Sequence, residues 1–410
     1  MNKIYTGIDI GSDTVKVIVS CIENDSIHVL ASVSEKSLGI KKGLIVDSKK
    51  AMISIKRAIK KASDMVGVKV TKVIACIPSH NCNMDIVVGR IDLNGEVVTG
   101  KDVTKVLKDA IIGRVKPEEE LITSIPINFT IDDDLDVKDP KGRKANTLDT
   151  KVVITTVDKN LLYGYLEVLK LSGLETIDIA FGSTGDYYIA RNEEIDSKVG
   201  AIINIGEEIT NIAVFNKGIM IKNQVLELGS KLVDNDISYI YKTKKEDSRK
   251  LKETFAVATS AYADRNDFEE IVIDTGEKKT VDQLEISKVV EARIDEILKL
   301  SKKALKNLTN REIRYIIITG GLSELAGFQY LVEEVLGNHA RVCNMKTMGV
   351  RHNKYSSVLG ILMYLDDKLR LRGKNISMFS SSDIESMVTV KKRENNDNIV
   401  SKVFGHFFDN

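Results

Sequence analysis

The sequence predicts an α/β fold of two similar lobes facing each other across a cleft, and three observations carry that prediction. A twelve-residue pattern occurs twice, 195 positions apart: GIDIGSDTVKVI (7–18) aligns without gaps on IINIGEEITNIA (202–213). Each copy reads as a buried strand, a Gly turn, a short polar loop and a second strand. A further apolar strand, 315–319, is tipped by Gly320 and Gly321. The 410 residues are too many for one core, so a repeat at this separation reads as two compact units. A glycine-tipped strand-turn-strand can aim backbone N–H groups at phosphate, and two facing tips fit a nucleoside triphosphate between them.

Composition narrows the partners. Lys and Arg total 60 against 59 Asp and Glu, which gives no electrostatic case for nucleic acid. Cys21, Cys76, Cys82 and Cys343 show no CxxC spacing, and no secretory signal precedes them. Reduced thiols in a cytoplasmic protein are expected. No apolar run approaches the ~20 residues that span a bilayer. The five His and four Cys are not spaced as metal ligands, and no Walker or GxSxG motif appears.

Along the chain, strands open the first lobe (4–46). A helix over 48–67 follows, with Ile53, Ala58, Ile59, Ala62 and Met65 among its apolar positions, and then a buried strand at 70–78. The expected first-lobe core is 1–82 with 159–197. Between these lies a small α+β insert, 83–158, read as strand (84–93), helix (102–115), strand (121–131), polar turn and strand (150–157). A helix over 161–171 closes at Gly173. The second-lobe core is expected at 198–235 with 313–372. Its outer subdomain, 236–312, holds a basic stretch, a mixed turn region (264–280) and an amphipathic helix (284–308). Few large apolar residues occur in 373–395, which reads as a flexible linker.

The loops supply the candidate site. In the first, Asp9, Gly11, Ser12, Asp13, Thr14 and Lys16 fit a phosphate loop, with Asp9 orienting Mg²⁺ through water and Lys16 giving positive charge. A plain hairpin with a solvated Lys fits these residues equally well when they are taken alone. In the second loop Asn204 stands where the first has Asp9, and Glu207 and Glu208 occupy the tip. Backbone N–H groups from Gly206 to Thr210 and the Thr210 hydroxyl remain as phosphate ligands. This half looks able to bind and poorly equipped to activate water. Gly320 and Gly321, with Ser323 beyond them, let a base or ribose approach the backbone; a tight strand-to-helix turn is the simpler reading of that segment alone.

The C-terminus carries a separate signal. Ile399, Val400, Val403, Phe404, Phe407 and Phe408 fall on one helical face within 396–410. Such a helix fits a membrane interface, each side chain contributing at most ~1.5–3 kcal/mol, with Lys391, Lys392 and Arg393 favouring anionic lipid. Docking on the body or on a partner is the alternative. One copy would bind weakly, so side-by-side assembly is expected to strengthen attachment.

The order of these pieces resembles the actin/Hsp70/sugar-kinase superfamily, and the finer match is to the bacterial cell-division FtsA family. Five features carry it: the insert after Ala75-Cys76-Ile77-Pro78-Ser79-His80, with Ile125-Pro126-Ile127-Asn128-Phe129 and Asp139-Pro140-Lys141-Gly142 inside it; 228–237 after the second loop; 248–256, similar to a helix lining a base pocket; 290–297 in the outer subdomain; and the linker with its tail. The resemblance implies an actin-like two-lobed ATPase fold with a small insert and a C-terminal amphipathic helix. It implies ATP and Mg²⁺ as ligands, with Gly229, Lys231 and Lys252 added to the nucleotide site. It further implies self-assembly at the cytoplasmic face of the membrane at the division site, and other division proteins as partners. The C-terminal tail of FtsZ is implied to dock near Arg293 and Glu296. Three departures stand out: Asn204, Glu207 and Glu208 replace the usual Asp and Gly residues of the second loop, Arg249 replaces an acidic residue, and Ala256 replaces a Gly. They weigh against hydrolysis more than against binding. An assembly ATPase of a pilus or secretion machine, and a small-molecule kinase of the same superfamily, are the alternatives. No general base for a kinase stands out.

Overall fold

The computed structural model describes residues 3–23, 26–371, 373–374 and 376–394, the last seven by backbone alone. The first lobe opens with β1 (Lys3–Ile10), β2 (Thr14–Glu23), β3 (Ser26–Lys36) and a short hairpin, β4 (Ile40–Lys41) and β5 (Leu44–Ile45). Helix α1 (Ser48–Val66) is started by the Asp47 carboxylate, which accepts from Lys50 N–H, and stopped by left-handed Gly67. Its buried face is Ala51, Ser54, Ile55, Ala58, Ile59, Ala62 and Val66. Ile53 and Met65, two of the apolar positions in this helix, are half exposed because they lie off the Ile55–Ile59–Ala62 stripe. Strand β6 (Lys72–Ile77) then returns to the sheet beside β1.

The insert folds as β7 (Asn83–Val97), α2 (Gly100–Ile111), β8 (Glu119–Ile131), β9 (Asp134–Val137) and β10 (Lys144–Asp158), in the sheet order β7-β10-β8-β9. Strand β9 falls in the stretch read as a polar turn. Helix α2 lies so close on the sheet that a Cβ at Gly89 would come within 2.3 Å of Val106 O. The chain re-enters the first lobe with α3 (Lys159–Leu171), β11 (Glu175–Phe181), α4 (Gly182–Ala190) and α5 (Glu193–Asp196).

The second lobe begins with β12 (Val199–Ile205), β13 (Thr210–Asn216) and β14 (Ile219–Leu226). It continues through α6 (Lys231–Tyr241), α7 (Lys245–Thr254), β15 (Phe268–Val272), β16 (Lys278–Asp282) and α8 (Gln283–Leu308). The region read as mixed turns thus holds a hairpin. Strand β17 (Ile316–Thr319), α9 (Phe328–Leu336), β18 (Ala340–Val342), α10 (Ser356–Leu371) and α11 (Ser381–Glu394) complete the order.

The two large sheets repeat one plan. The first runs β3-β2-β1-β6-β11 and the second β14-β13-β12-β17-β18, with two antiparallel pairings followed by two parallel ones in each. The duplicated hairpins keep one register: Asp9 faces Lys16 across β1 and β2, and Asn204 faces Asn211 across β12 and β13.

Two packing features concern segments near the expected boundaries. Helix α10, assigned to the second lobe, buries Val358, Leu359, Ile361, Leu362 and Leu365 in a core that joins Ile4, Ile8 and Ile74 of the first lobe to Ile202, Phe215 and Ile317 of the second. It crosses α4 at a backbone contact so tight that a Cβ on Gly360 would fall 1.8 Å from Gly185 O. Part of the expected linker is packed as well. Met378 N–H donates to Ile4 O at 2.9 Å, and Ile4 N–H donates to Ser377 Oγ at 3.2 Å. Met378, Phe379 and Met387 are buried in the same core. The reason is geometric: β6 pairs with β1 only at residues 7–9, and 377–378 supply partners to the remaining N-terminal half of that strand. The expected membrane helix, with Ile399, Val400, Val403, Phe404, Phe407 and Phe408, lies outside the described residues.

Candidate functional site: a cleft between two glycine-tipped hairpins

Both hairpin tips close in the same way. Gly11 N–H donates to Thr14 O at 3.0 Å, and Gly206 N–H donates to Ile209 O at 2.9 Å. Each glycine's own N–H is therefore occupied by its turn, and only the tip residues beyond it can face a ligand. At the third tip, Gly320 has φ +96°, and a Cβ there would fall 2.2 Å from Ile205 O. Only glycine satisfies both the dihedral and the close approach.

These tips surround a cleft of about 610 Å³, lined by Asp9, Gly11, Ser12, Asp13, Thr14, Lys16, Gly206, Glu207, Lys252, Gly320 and Gly321 among others. That volume lies within the usual range for small-molecule sites. Lys16 reaches Asp9 at 2.9 Å. Burial pulls the Lys16 ammonium down, but Asp9, with smaller help from Cys76 and Asp13, outweighs it, so the group stays protonated above its ordinary range. Lys252 sits in the wall, 2.7 Å from Asp234, both side chains nearly fully buried. Burial pushes the Asp234 carboxyl up, with Lys252 opposing it.

The other expected site residues support the cleft without lining it. Thr210 is fully buried and donates its hydroxyl to Leu228 O at 2.9 Å, so it presents no hydroxyl to phosphate. Ser323 Oγ donates to Gly320 O at 2.8 Å and locks the third tip. Gly229 gives its space to the second loop, since a Cβ there would lie 2.5 Å from Gly206 O. Glu208 turns away to Lys231 at 2.5 Å and accepts from Lys42 N–H at 2.6 Å, which removes much of the repulsion expected at this tip. Glu207 stays in the cleft and accepts from Ser230 Oγ at 2.9 Å. Its carboxyl is pushed up by burial and by neighbouring Asp13.

Three lining residues had no role assigned from sequence. Asp186 on α4 is fully buried; it accepts from Ser356 Oγ (2.5 Å), Ser357 Oγ (2.9 Å) and Asn204 Nδ2 (2.8 Å). All three donors are neutral, and burial pushes its carboxyl up to about 6. The only signal was a lone Asp in an otherwise neutral helix. Ser183 Oγ is buried without a partner in the same wall. Arg249 on α7, marked only as a departure, pairs with Asp13 across the cleft through two contacts of 2.6 and 2.7 Å. Arg293 and Glu296 lie elsewhere, paired on the surface of α8, and Arg293 also binds Asp236 of α6.

Among the described residues no group of three or more His, Cys, Asp or Glu is placed to hold a metal. A divalent cation here would take most of its ligands from phosphate and water. That fits Mg²⁺, which retains water, better than a protein-caged ion.

Two family models match this chain. One, described as "Cell division protein FtsA", covers residues 201–360, and one described as "SHS2 domain inserted in FTSA" covers 79–156, the four-stranded insert. Together they span more than half of the sequence. The chain belongs to the FtsA family. FtsA of Bacillus subtilis is 29% identical over 92% of this chain and 86% of its own length. FtsA of Streptococcus pneumoniae is 26% identical over 87% and 79%. Among solved structures, a PilM-PilN type IV pilus biogenesis complex matches with TM-score 0.59 at 14% identity, over 88% of this chain and 98% of the other. MreB5 of Spiroplasma citri bound to ADP gives 0.55 at 12% identity, over 90% and 98%. These similarities establish an actin-like fold, whereas the cell-division assignment rests on the FtsA matches.

Proposed function

We propose that this FtsA-family chain binds ATP with Mg²⁺ in the cleft and assembles with copies of itself on the cytoplasmic face of the cell membrane at the division site. There it tethers FtsZ filaments by their C-terminal tail and recruits other division proteins. The observation that carries the reading is the pair of hairpins in one register, facing a single cleft with Lys16 in it. The MreB5 structure holds ADP in an actin-like fold, which supports the same use of the cleft here. Lys16 would supply charge to phosphate and Asp9 would hold Mg²⁺ through water, with Gly320 and Gly321 against the nucleoside. Turnover is expected to be weak or absent, because Asn204 replaces a carboxylate at the second tip. The membrane role rests on the apolar face of 396–410. For FtsZ, Arg293 and Glu296 are the first contacts to test.

Equilibrium titration with a fluorescent ATP analogue tests the cleft. Lys16→Ala is expected to weaken binding roughly tenfold, the order of one charge-assisted contact. Equal affinity of the two proteins would remove Lys16 from the site.

A further inference from the structure

The two lobes are joined across the mouth of the cleft by side chains of this chain alone. Asp13 stands at the tip of the first-lobe hairpin, and Arg249 stands on α7 of the second lobe. The guanidinium grips both carboxylate oxygens, Nη1 to Oδ1 at 2.6 Å and Nη2 to Oδ2 at 2.7 Å. Two-point geometry of this kind fixes orientation as well as distance. The side chains are 15% and 32% exposed, so solvent screens the pair only in part.

Neighbouring charges hold each partner in place. Lys36 of β3 reaches Asp13 at 2.9 Å. Glu253 accepts from Arg249 Nε at 2.9 Å, and Glu207 of the second tip lies 3.8 Å from its Nη1. Arg249 and Lys36 outweigh burial and hold the Asp13 carboxyl well below its usual range. A second crossing joins the lobes where Lys42 N–H of the first lobe donates to Glu208 at 2.6 Å and the Lys42 ammonium pairs with Glu227. Beside it, Asn211 Nδ2 donates to Ser79 Oγ at 2.7 Å.

We propose that the Asp13–Arg249 pair is a latch that holds the two lobes together over the cleft without any nucleotide. In a two-lobed fold a ligand closes the cleft only to the extent that it binds the closed form better. Here an internal ion pair already favours closure. The lobes should therefore stay associated in the apo protein, with nucleotide adding little further closure. This inference does not depend on which nucleotide, if any, the cleft takes.

The test is amide hydrogen exchange of the full chain without nucleotide, comparing wild type, Asp13→Asn, Arg249→Gln and the double variant. The probes are peptides covering 9–16 and 245–254. The latch predicts that each single variant exchanges roughly tenfold faster in both segments, as expected for loss of one two-point charged contact. It also predicts that the double variant is no faster than either single one, because both remove the same interaction. Unchanged exchange in the single variants, or effects that multiply in the double variant, would overturn the latch. Far-ultraviolet circular dichroism of each variant separates a broken latch from a broken fold. A nucleotide titration on the same samples reports separately on the ATP reading.

Discussion

Asn204 donates its side-chain amide to Asp186 at 2.8 Å, which ties the second hairpin to α4 at the floor of the cleft. The first hairpin has Asp9 at the equivalent position, paired with Lys16. The duplicated element thus carries a charged pair in one lobe. In the other it carries an amide bound to a buried carboxylate that receives only neutral donors.

That arrangement predicts a pH dependence. Burial raises the Asp186 carboxyl from 3.8 to about 6, so between those values the native state holds a proton that the unfolded state has released. The stability this gives is full below the unfolded pKa and is lost as pH rises through about 6. Denaturant unfolding of wild type and Asp186→Asn at pH 5 and pH 7 should show the difference between them shifting by about 1 kcal/mol in favour of wild type at the lower pH. A pH-independent difference would show that Asp186 titrates normally.

The packed segment at 377–387 makes a second prediction. Truncation after residue 375 removes Met378, Phe379 and Met387 from the core and leaves Ile4 without its partners. It is expected to destabilise the body by at least about 2–5 kcal/mol, the range for one large buried side chain. Truncation after residue 395 should leave unfolding unchanged. If both truncations unfold like the full chain, the packing of this segment contributes nothing.

Gly320→Ala tests the third tip. The new Cβ meets Ile205 O at 2.2 Å on a backbone with φ +96°. We expect a loss of more than about 2 kcal/mol in thermal or denaturant unfolding, since strain and overlap add. Gly321→Ala meets nothing closer than His352 at 3.8 Å and should be tolerated.

The hairpins and their cleft were legible in the sequence because a glycine after alternating apolar residues forces a turn, and the repeat shows it twice. The roles of individual residues were less legible. Thr210 reads as a loop hydroxyl, yet the strand alternation turns it inward to Leu228 O. Asp186 is silent because its three donors come from α10 and β12, 18 to 171 residues away. Residues 377–387 read as a linker since four apolar side chains among polar ones form no pattern; their place depends on the short pairing of β6 with β1. Arg249 was visible only as an unexpected charge, because its partner Asp13 is 236 residues away.

The measurement that tests the central claim most directly is co-sedimentation with anionic liposomes, using the full chain and the chain lacking 396–410, each with purified FtsZ and ATP. The account predicts that the full chain pellets and carries FtsZ down, while the shortened chain stays in the supernatant with its fold intact. Pelleting of both chains alike, or of the full chain without FtsZ, would contradict it.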